Sequence, residues 1–182
     1  MKQHEISGIV LQCKDMFEKD KVVNLFTEEK GKIKCLAKYA NTKSFKFGGK
    51  LEPGNIIHCQ LYRGKSFDIL TQCDLKKSYP GIRTSYNKIS LLMYIFETIH
   101  LSTSYEQQNI PLFNLLNSCL QKLNKSDCVP ATIQHQFESQ FLKAEGLLST
   151  ETELDNHPQF KKIFSDYTGK HCRSPQYLTQ KS

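Results

Sequence analysis

Through the first 75 residues, apolar side chains recur at every second position, which is the period of a strand with one buried face. Ile6, Gly8 and Val10 alternate with Ser7 and Ile9, and Val23 and Leu25 stand out in 21–27. Ile33, Cys35 and Ala37 alternate with Lys32, Lys34 and Leu36, and Ile57, Cys59 and Leu61 alternate with His58 and Gln60. Phe67, Ile69, Thr71, Cys73 and Leu75 make the longest series. This predicts five strands. A longer basic segment ending in Pro53-Gly54 separates the third from the fourth, and Arg63-Gly64-Lys65-Ser66 is a hairpin turn between the last two.

At Ser78-Tyr79-Pro80-Gly81 the apolar period lengthens to between three and four. A helix is predicted over 88–99, with Ile89, Leu92, Met93, Phe96 and Ile99 on one face and Thr84 or Ser85 near its start as a cap. Pro111 opens a second, with Leu112, Leu115, Leu116, Cys119, Leu120 and Leu123. Pro130 opens a third, with Ile133, Phe137 and Phe141 and a stop at Gly146. A shorter fourth follows Pro158, with Phe160, Ile163, Phe164 and Tyr167. Each apolar stripe is read first as core, though a groove between two helices can accept a partner peptide.

The expected fold is therefore α+β. Residues 1–79 form a five-stranded, OB-fold-like β-barrel that binds nucleic acid, and residues 80–182 form an all-α helical domain ending in a polar tail from Thr168. An SH3-like barrel fits the same strand periodicity.

Charge sharpens the picture. Residues 1–80 carry 15 basic and 9 acidic side chains, a net of +6, whereas residues 81–182 carry 10 and 9, a net of +1. Of the 25 basic residues 22 are lysine, a bias of composition that by itself would not spare one half of the chain. The stretch 30–51 holds seven lysines and no acidic residue, with Tyr39, Phe45 and Phe47 among them. Cations for phosphates and flat rings for unstacked bases are what a single-stranded nucleic acid requires.

On the third strand, if Ile33, Cys35 and Ala37 face the core, Lys32, Lys34 and Lys38 project to the other side with Leu36, about 7 Å between positions two apart. Lys32, Lys34, Lys38, Lys43, Lys46 and Lys50 are the candidate phosphate contacts, with Arg63 beside them on the hairpin. Ser44 is a candidate hydrogen-bond donor, and Tyr39 or Phe45 a candidate stacking ring. The alternative that Phe45 and Phe47 plug the bottom of the barrel stays open.

Other chemistries find little support. The longest apolar run, Ile89 to Phe96, is interrupted by Ser90 and is far short of the roughly 20 residues a membrane span needs. With no signal-peptide pattern behind Lys2, His4 and Glu5, a cytoplasmic protein is expected. Seven scattered cysteines, at 13, 35, 59, 73, 119, 128 and 172, fit a reducing compartment and contain no C-x2-4-C pair, so no metal and no cofactor is expected. His171 and Cys172 supply two ligands at most. Gly64-Lys65-Ser66 resembles the end of a P-loop, but Cys59 stands where its first glycine belongs and a strand follows instead of a helix. No nucleophile elbow or metal-protease helix is present, and an enzyme is not expected.

The order of short motifs in the first half resembles the RecO family of bacterial DNA-repair proteins. It runs through Gly8-Ile9-Val10-Leu11, Leu25-Phe26-Thr27 with Gly31-Lys32-Ile33, Ala37-Lys38 to Ser44-Phe45, Leu51-Glu52-Pro53-Gly54, Leu61-Tyr62-Arg63-Gly64, 67–73 and Ser78-Tyr79-Pro80-Gly81-Ile82-Arg83. The helical half matches in pattern, with Tyr94, Glu97, Pro111-Leu112-Phe113 and Leu116 in recognisable places. The resemblance implies an N-terminal OB-fold and a helical domain. It also implies binding of single- and double-stranded DNA, strand annealing, contacts with RecR and with the tail of the single-stranded-DNA-binding protein, indirect action on RecA, and a nucleoid-associated location.

This chain departs from the family at several points. Tyr39 and Asn41 stand where relatives often carry glycine and arginine, the zinc knuckle of many relatives has no counterpart, and the C-terminal region reads as shortened. Two other functions remain: an adaptor whose helical domain grips a partner's tail with secondary DNA contact, and an OB-fold protein acting on RNA.

Overall fold

A computed structural model of the chain describes residues 3–16, 18–40 and 47–174. Two compact units emerge: Met1–Ser78 together with Thr103–Ile110, and Tyr79–Ser102 together with Pro111–Ser182. The chain thus leaves the first unit at Ser78 and re-enters it for eight residues.

The first unit is a closed barrel of β1 (Gln3–Met16), β2 (Asp20–Thr27), β3 (Gly31–Ala37), β4 (Ile56–Tyr62) and β5 (Asp68–Lys77), in the order β1-β2-β3-β5-β4. This is the arrangement of an OB-type barrel. β1 is long enough to serve two neighbours. Its first part pairs with β4 and its later part with β2, and a bulge between Val10 and Gln12 bends it from one to the other. β3 meets β5 in parallel over three residues, Cys35 to Ala37.

Inside the barrel lie Ile6, Val10, Val23, Leu25, Ile33, Cys35, Ala37, Ile57, Cys59 and Leu61, the apolar phase expected for β1 to β4. A short 3-10 turn at Gly48–Leu51 adds Phe47 and Leu51 to this core. Phe47 therefore plugs the barrel. β5 departs from its simple alternation: Gln60 pairs with Gln72 but Leu61 with Leu70, so Thr71 is an extra residue and the facing parity flips across it. Leu70 and Cys73 are buried, while Leu75, farther along the strand, is 45% exposed.

The second unit holds α1 (Tyr86–Ser102), α2 (Ile110–Leu123), α3 (Pro130–Ala144) and α4 (His157–Thr168). α2 buries all six of its expected apolar positions, and α3 packs against both α1 and α4. Tyr94, Phe137, Phe141, Phe160 and Phe164 meet ring to ring, with centroids 5.6–6.3 Å apart. Glu138, only 1% exposed, lies beside this cluster. Its Oε1 accepts from Tyr94 Oη at 2.8 Å and Gln134 Nε2 at 2.8 Å, and lies 2.7 Å from His157 Nδ1. Burial, and then the Glu138 charge, push the Tyr94 phenol far above its ordinary range, so it remains a donor.

α1 does not follow its expected stripe. Tyr94, Ile95, Leu91, Leu92, Phe96 and Ile99 are buried, whereas Ile89 and Met93 are 39% and 41% exposed. A helix with apolar residues on most sides does not specify from its own pattern which face turns inward. At its far end α4 is closed by Gly169, whose φ of +65° suits a glycine. Beyond it the Glu97 carboxylate on α1 accepts from the main-chain N–H groups of Arg173 at 3.0 Å and Ser174 at 2.8 Å, and from the Ser174 hydroxyl.

Among the described residues, no helix is long and apolar enough to cross a membrane. Among the same residues no three His, Cys, Asp or Glu side chains stand together as metal ligands, and all seven cysteines are free thiols.

Candidate nucleic-acid interface

Turning Ile33, Cys35 and Ala37 inward places Lys32, Lys34 and Leu36 on the outer surface of β3. Across the antiparallel pairing they stand opposite Phe26, Asn24 and Val22 of β2. The β2–β3 surface is the one OB-folds use for oligonucleotides, together with the β1–β2 and β4–β5 loops.

The two lysines have different surroundings. Lys34 is half-buried and its Nζ lies 4.6 Å from the centroid of the Phe67 ring, at the end of the β4–β5 hairpin. The ring steadies the cation without neutralising it. Lys32 is 3% exposed. Its Nζ donates to the Thr103 carbonyl at 2.6 Å and sits 4.6 Å from the centroid of Tyr105. Lys32 therefore does not join an exposed row with Lys34 and Lys38. Its neighbour Gly31 explains how the 103–110 segment comes so close: φ is +63°, and a Cβ there would overlap the Gln107 carbonyl.

The remaining candidates spread around this surface. Lys38 is exposed at the end of β3. Tyr39 follows with 63% exposure and a left-handed φ of +57°, its N–H donating to Asp20 Oδ1 at 2.9 Å. A side chain is strained in that backbone conformation. Lys50 reaches over β5, donating to the Cys73 carbonyl at 2.9 Å and lying 3.9 Å from Asp74 Oδ1. Its charge is partly answered within the barrel. Lys43, Ser44, Phe45 and Lys46 lie outside the described residues.

Arg63 is exposed and lines a cleft of about 400 Å³ with His4, Lys30, Asp68 and Glu106. His4 Nε2 stands 3.5 Å from Asp68 Oδ2. Two cations face two carboxylates here, so the cleft has little net field of its own, and Arg63 and Lys30 act on a polyanion only from its rim.

Two aromatic residues on this surface, Phe67 and Tyr105, were not among the sequence candidates. The period-two series of β5 places Phe67 in phase with Cys73, and the bulge at Thr71 reverses that phase. Tyr105 lies between helices in the sequence, and only its local setting, an aromatic in a polar loop, hints at a surface role. The arrangement as a whole offers fixed cations and rings on an OB-type face, which suits a flexible polyanion bearing flat bases.

Comparison with known proteins agrees in both halves of the chain. The family model described as "Recombination protein O N terminal" matches residues 1–79, and "Recombination protein O C terminal" matches residues 83–148. Proteins named DNA repair protein RecO are similar to this chain. The one from Geobacter metallireducens is 32% identical over 146 residues, 80% of this chain and 59% of the relative. The one from Frankia casuarinae is 30% identical over 141 residues, covering 76% and 58%. A third, from Pelotomaculum thermopropionicum, is 30% identical over 127 residues, covering 70% and 50%. The chain spans about half to three-fifths of the length of these relatives. With an OB-type barrel followed by helices, and with both family models matched in order, the chain belongs to the RecO family.

Proposed function

We propose that this chain is a non-enzymatic, DNA-binding mediator of recombinational repair that anneals complementary strands and, with RecR, helps RecA load on single strands coated by single-stranded-DNA-binding protein. The observation that carries the DNA-binding part is the outer face of β3, where Lys34 is held over Phe67 with Lys38 exposed at the strand end. Cations in fixed positions neutralise phosphates without reading sequence, and two strands screened on such a surface meet without mutual repulsion. Family membership supports the repair role, and RecR and the tail of the single-stranded-DNA-binding protein are the partners it suggests.

Lys34, Lys38 and Arg63 are the leading phosphate contacts, with Lys43, Lys46 and Lys50 in support, Ser44 as a donor, and Tyr39 or Phe45 as further rings. Lys32 is assigned to the barrel's own structure.

Anisotropy of a labelled single-stranded oligonucleotide across a salt series, with Lys34, Lys38 and Arg63 changed together to Ala, tests this. Salt-sensitive binding that the triple variant loses supports the reading. Absence of binding by the unaltered chain at low salt rejects it, and equal affinity of the two chains removes these residues from the contact. An RNA of the same sequence bound in preference to DNA would move the protein to RNA.

A further inference from the structure

The outer face of β3 carries two lysine–aromatic pairs in succession. Lys34 lies 4.6 Å from the Phe67 centroid, and Lys32, two residues earlier on the same face, lies 4.6 Å from the Tyr105 centroid. One two-residue step of a strand is about 7 Å. Both rings also meet the same edge of β3. β5, which begins one residue after Phe67, pairs with that edge from Cys35, and Tyr105 bridges to it in parallel at Lys32.

Tyr105 is held from three directions. Its hydroxyl donates to Asn24 Oδ1 at 3.2 Å, Lys32 lies against its ring, and the next main-chain N–H, that of Glu106, donates to the Lys32 carbonyl at 2.8 Å. Two residues on, Gln108 Nε2 donates to the Glu28 carbonyl at 3.1 Å. Burial raises the phenol above its ordinary range, so it keeps the proton it donates to Asn24. Despite this anchoring the residue remains 46% exposed. A ring serving only to cover Lys32 has no reason to present so much of itself to water, whereas a stacking platform needs one fixed face and one open face. A ring already immobilised loses little conformational entropy when a base settles on it.

We propose that Tyr105, contributed by the 103–110 segment and not by any barrel strand, is a base-stacking residue for single-stranded DNA, acting with Phe67 as a pair of platforms for two neighbouring bases. This rests on the reading of the β2–β3 face as the DNA-binding surface. Lys34 then supplies phosphate neutralisation, while Lys32, buried beneath Tyr105, positions the ring.

The chain contains no tryptophan, so an introduced indole reports without background. Tyr105→Trp and Tyr105→Leu are compared with the unaltered chain in binding oligo(dT). Emission of the Tyr105→Trp chain is expected to be quenched as oligo(dT) binds. Tyr105→Leu is expected to lose roughly tenfold or more in affinity. Its slope of log affinity against log salt should stay unchanged, because no phosphate contact is removed. Tyr105→Phe, which keeps the ring, is expected to stay close to the unaltered affinity. Loosening of the barrel alone would not give this pattern of unchanged slope, indole quenching and rescue by Phe. Binding by the unaltered chain without quenching in the Trp variant, or with full affinity in the Leu variant, overturns the assignment of Tyr105 and leaves DNA binding standing. No binding by the unaltered chain overturns the DNA-binding reading and this assignment with it.

Discussion

Lys32 and Tyr105 are far apart in sequence, yet the Lys32 ammonium lies 4.6 Å from the Tyr105 ring, and together they pin the 103–110 segment to β3. The first prediction separates this lysine from its neighbours. Lys32→Ala removes the hydrogen bond to the Thr103 carbonyl as well as the ring contact, and should cost about 1–3 kcal/mol of stability in urea denaturation. The salt slope of DNA binding should not change, because the side chain is enclosed. A flattened slope with unaltered stability would return Lys32 to the phosphate contacts.

For Lys34, Lys38 and Arg63 the expectation is the reverse. Removing each single-strand phosphate contact lowers the logarithmic salt slope by roughly 0.7, so the triple alanine variant should lose about 2 from it. Its urea midpoint should shift little, since half-buried or exposed cations contribute little to folding. Anisotropy titrations between low and moderate salt read the slope directly.

Tyr39 gives a test of backbone strain. A non-glycine residue at φ +57° costs about 1–2 kcal/mol, while glycine's greater freedom in the unfolded chain costs about 0.5–1 kcal/mol. Tyr39→Gly should therefore raise the urea midpoint slightly. A drop would mean that the side chain's own contacts outweigh the strain. If the ring also stacks on DNA, the same variant binds more weakly while folding more firmly.

How much of this could be read from the sequence differs between elements. Ile33, Cys35 and Ala37 on β3 and the six leucine and cysteine positions of α2 were legible, because each element buries one face and its polar positions fall on the other. The parity flip at Thr71 was not, since a bulge depends on how β5 pairs with β4. Nor was the inward face of α1, where apolar residues on several sides leave the choice to its neighbours. At the candidate site, counting lysines leads to the outer face of β3 but does not tell Lys34, half-buried, from Lys32, enclosed. The difference lies in a segment more than sixty residues away, which a local pattern does not contain.

Glu138 should prove the most sensitive polar position in the helical unit. Replacing it with Ala leaves the Tyr94 hydroxyl without its buried acceptor and leaves Gln134 Nε2 and His157 Nδ1, 3.2 Å apart, without the carboxylate they share, at a cost of about 3 kcal/mol or more in urea denaturation. Glu138→Gln retains an oxygen that can accept, and should cost less. Equal and small losses for both variants would show that the network contributes little.

Glu97 predicts a pH dependence at the C-terminal end of the described chain. Burial acts to raise its pKa, but hydrogen bonds from the Ser174 hydroxyl and the Arg173 and Ser174 amides outweigh it, and the carboxyl is held below its ordinary 4.5. A depressed folded-state value means that the contact contributes fully above pH 4.5 and is lost as the pH falls through the lower value. Hydrogen exchange at the Arg173 and Ser174 amides, corrected for the intrinsic rate, should show protection that disappears in that acid window. In Glu97→Gln this loss should not follow pH. Persistent, pH-independent protection in the unaltered chain would show that other contacts hold the segment.

The short pairing of β3 with β5 has a consequence for how partners can approach. β5 covers β3 only at Cys35–Ala37, and an uncovered strand edge invites another chain to add itself as a further strand. Here the Glu106 N–H donates to the Lys32 carbonyl and takes part of that vacancy, so the chain supplies its own stopper. Aggregation by strand addition is discouraged at Lys32, and a partner reaching this stretch meets side chains, not a main-chain ladder. Loosening the 103–110 segment should then show itself first as self-association at high protein concentration.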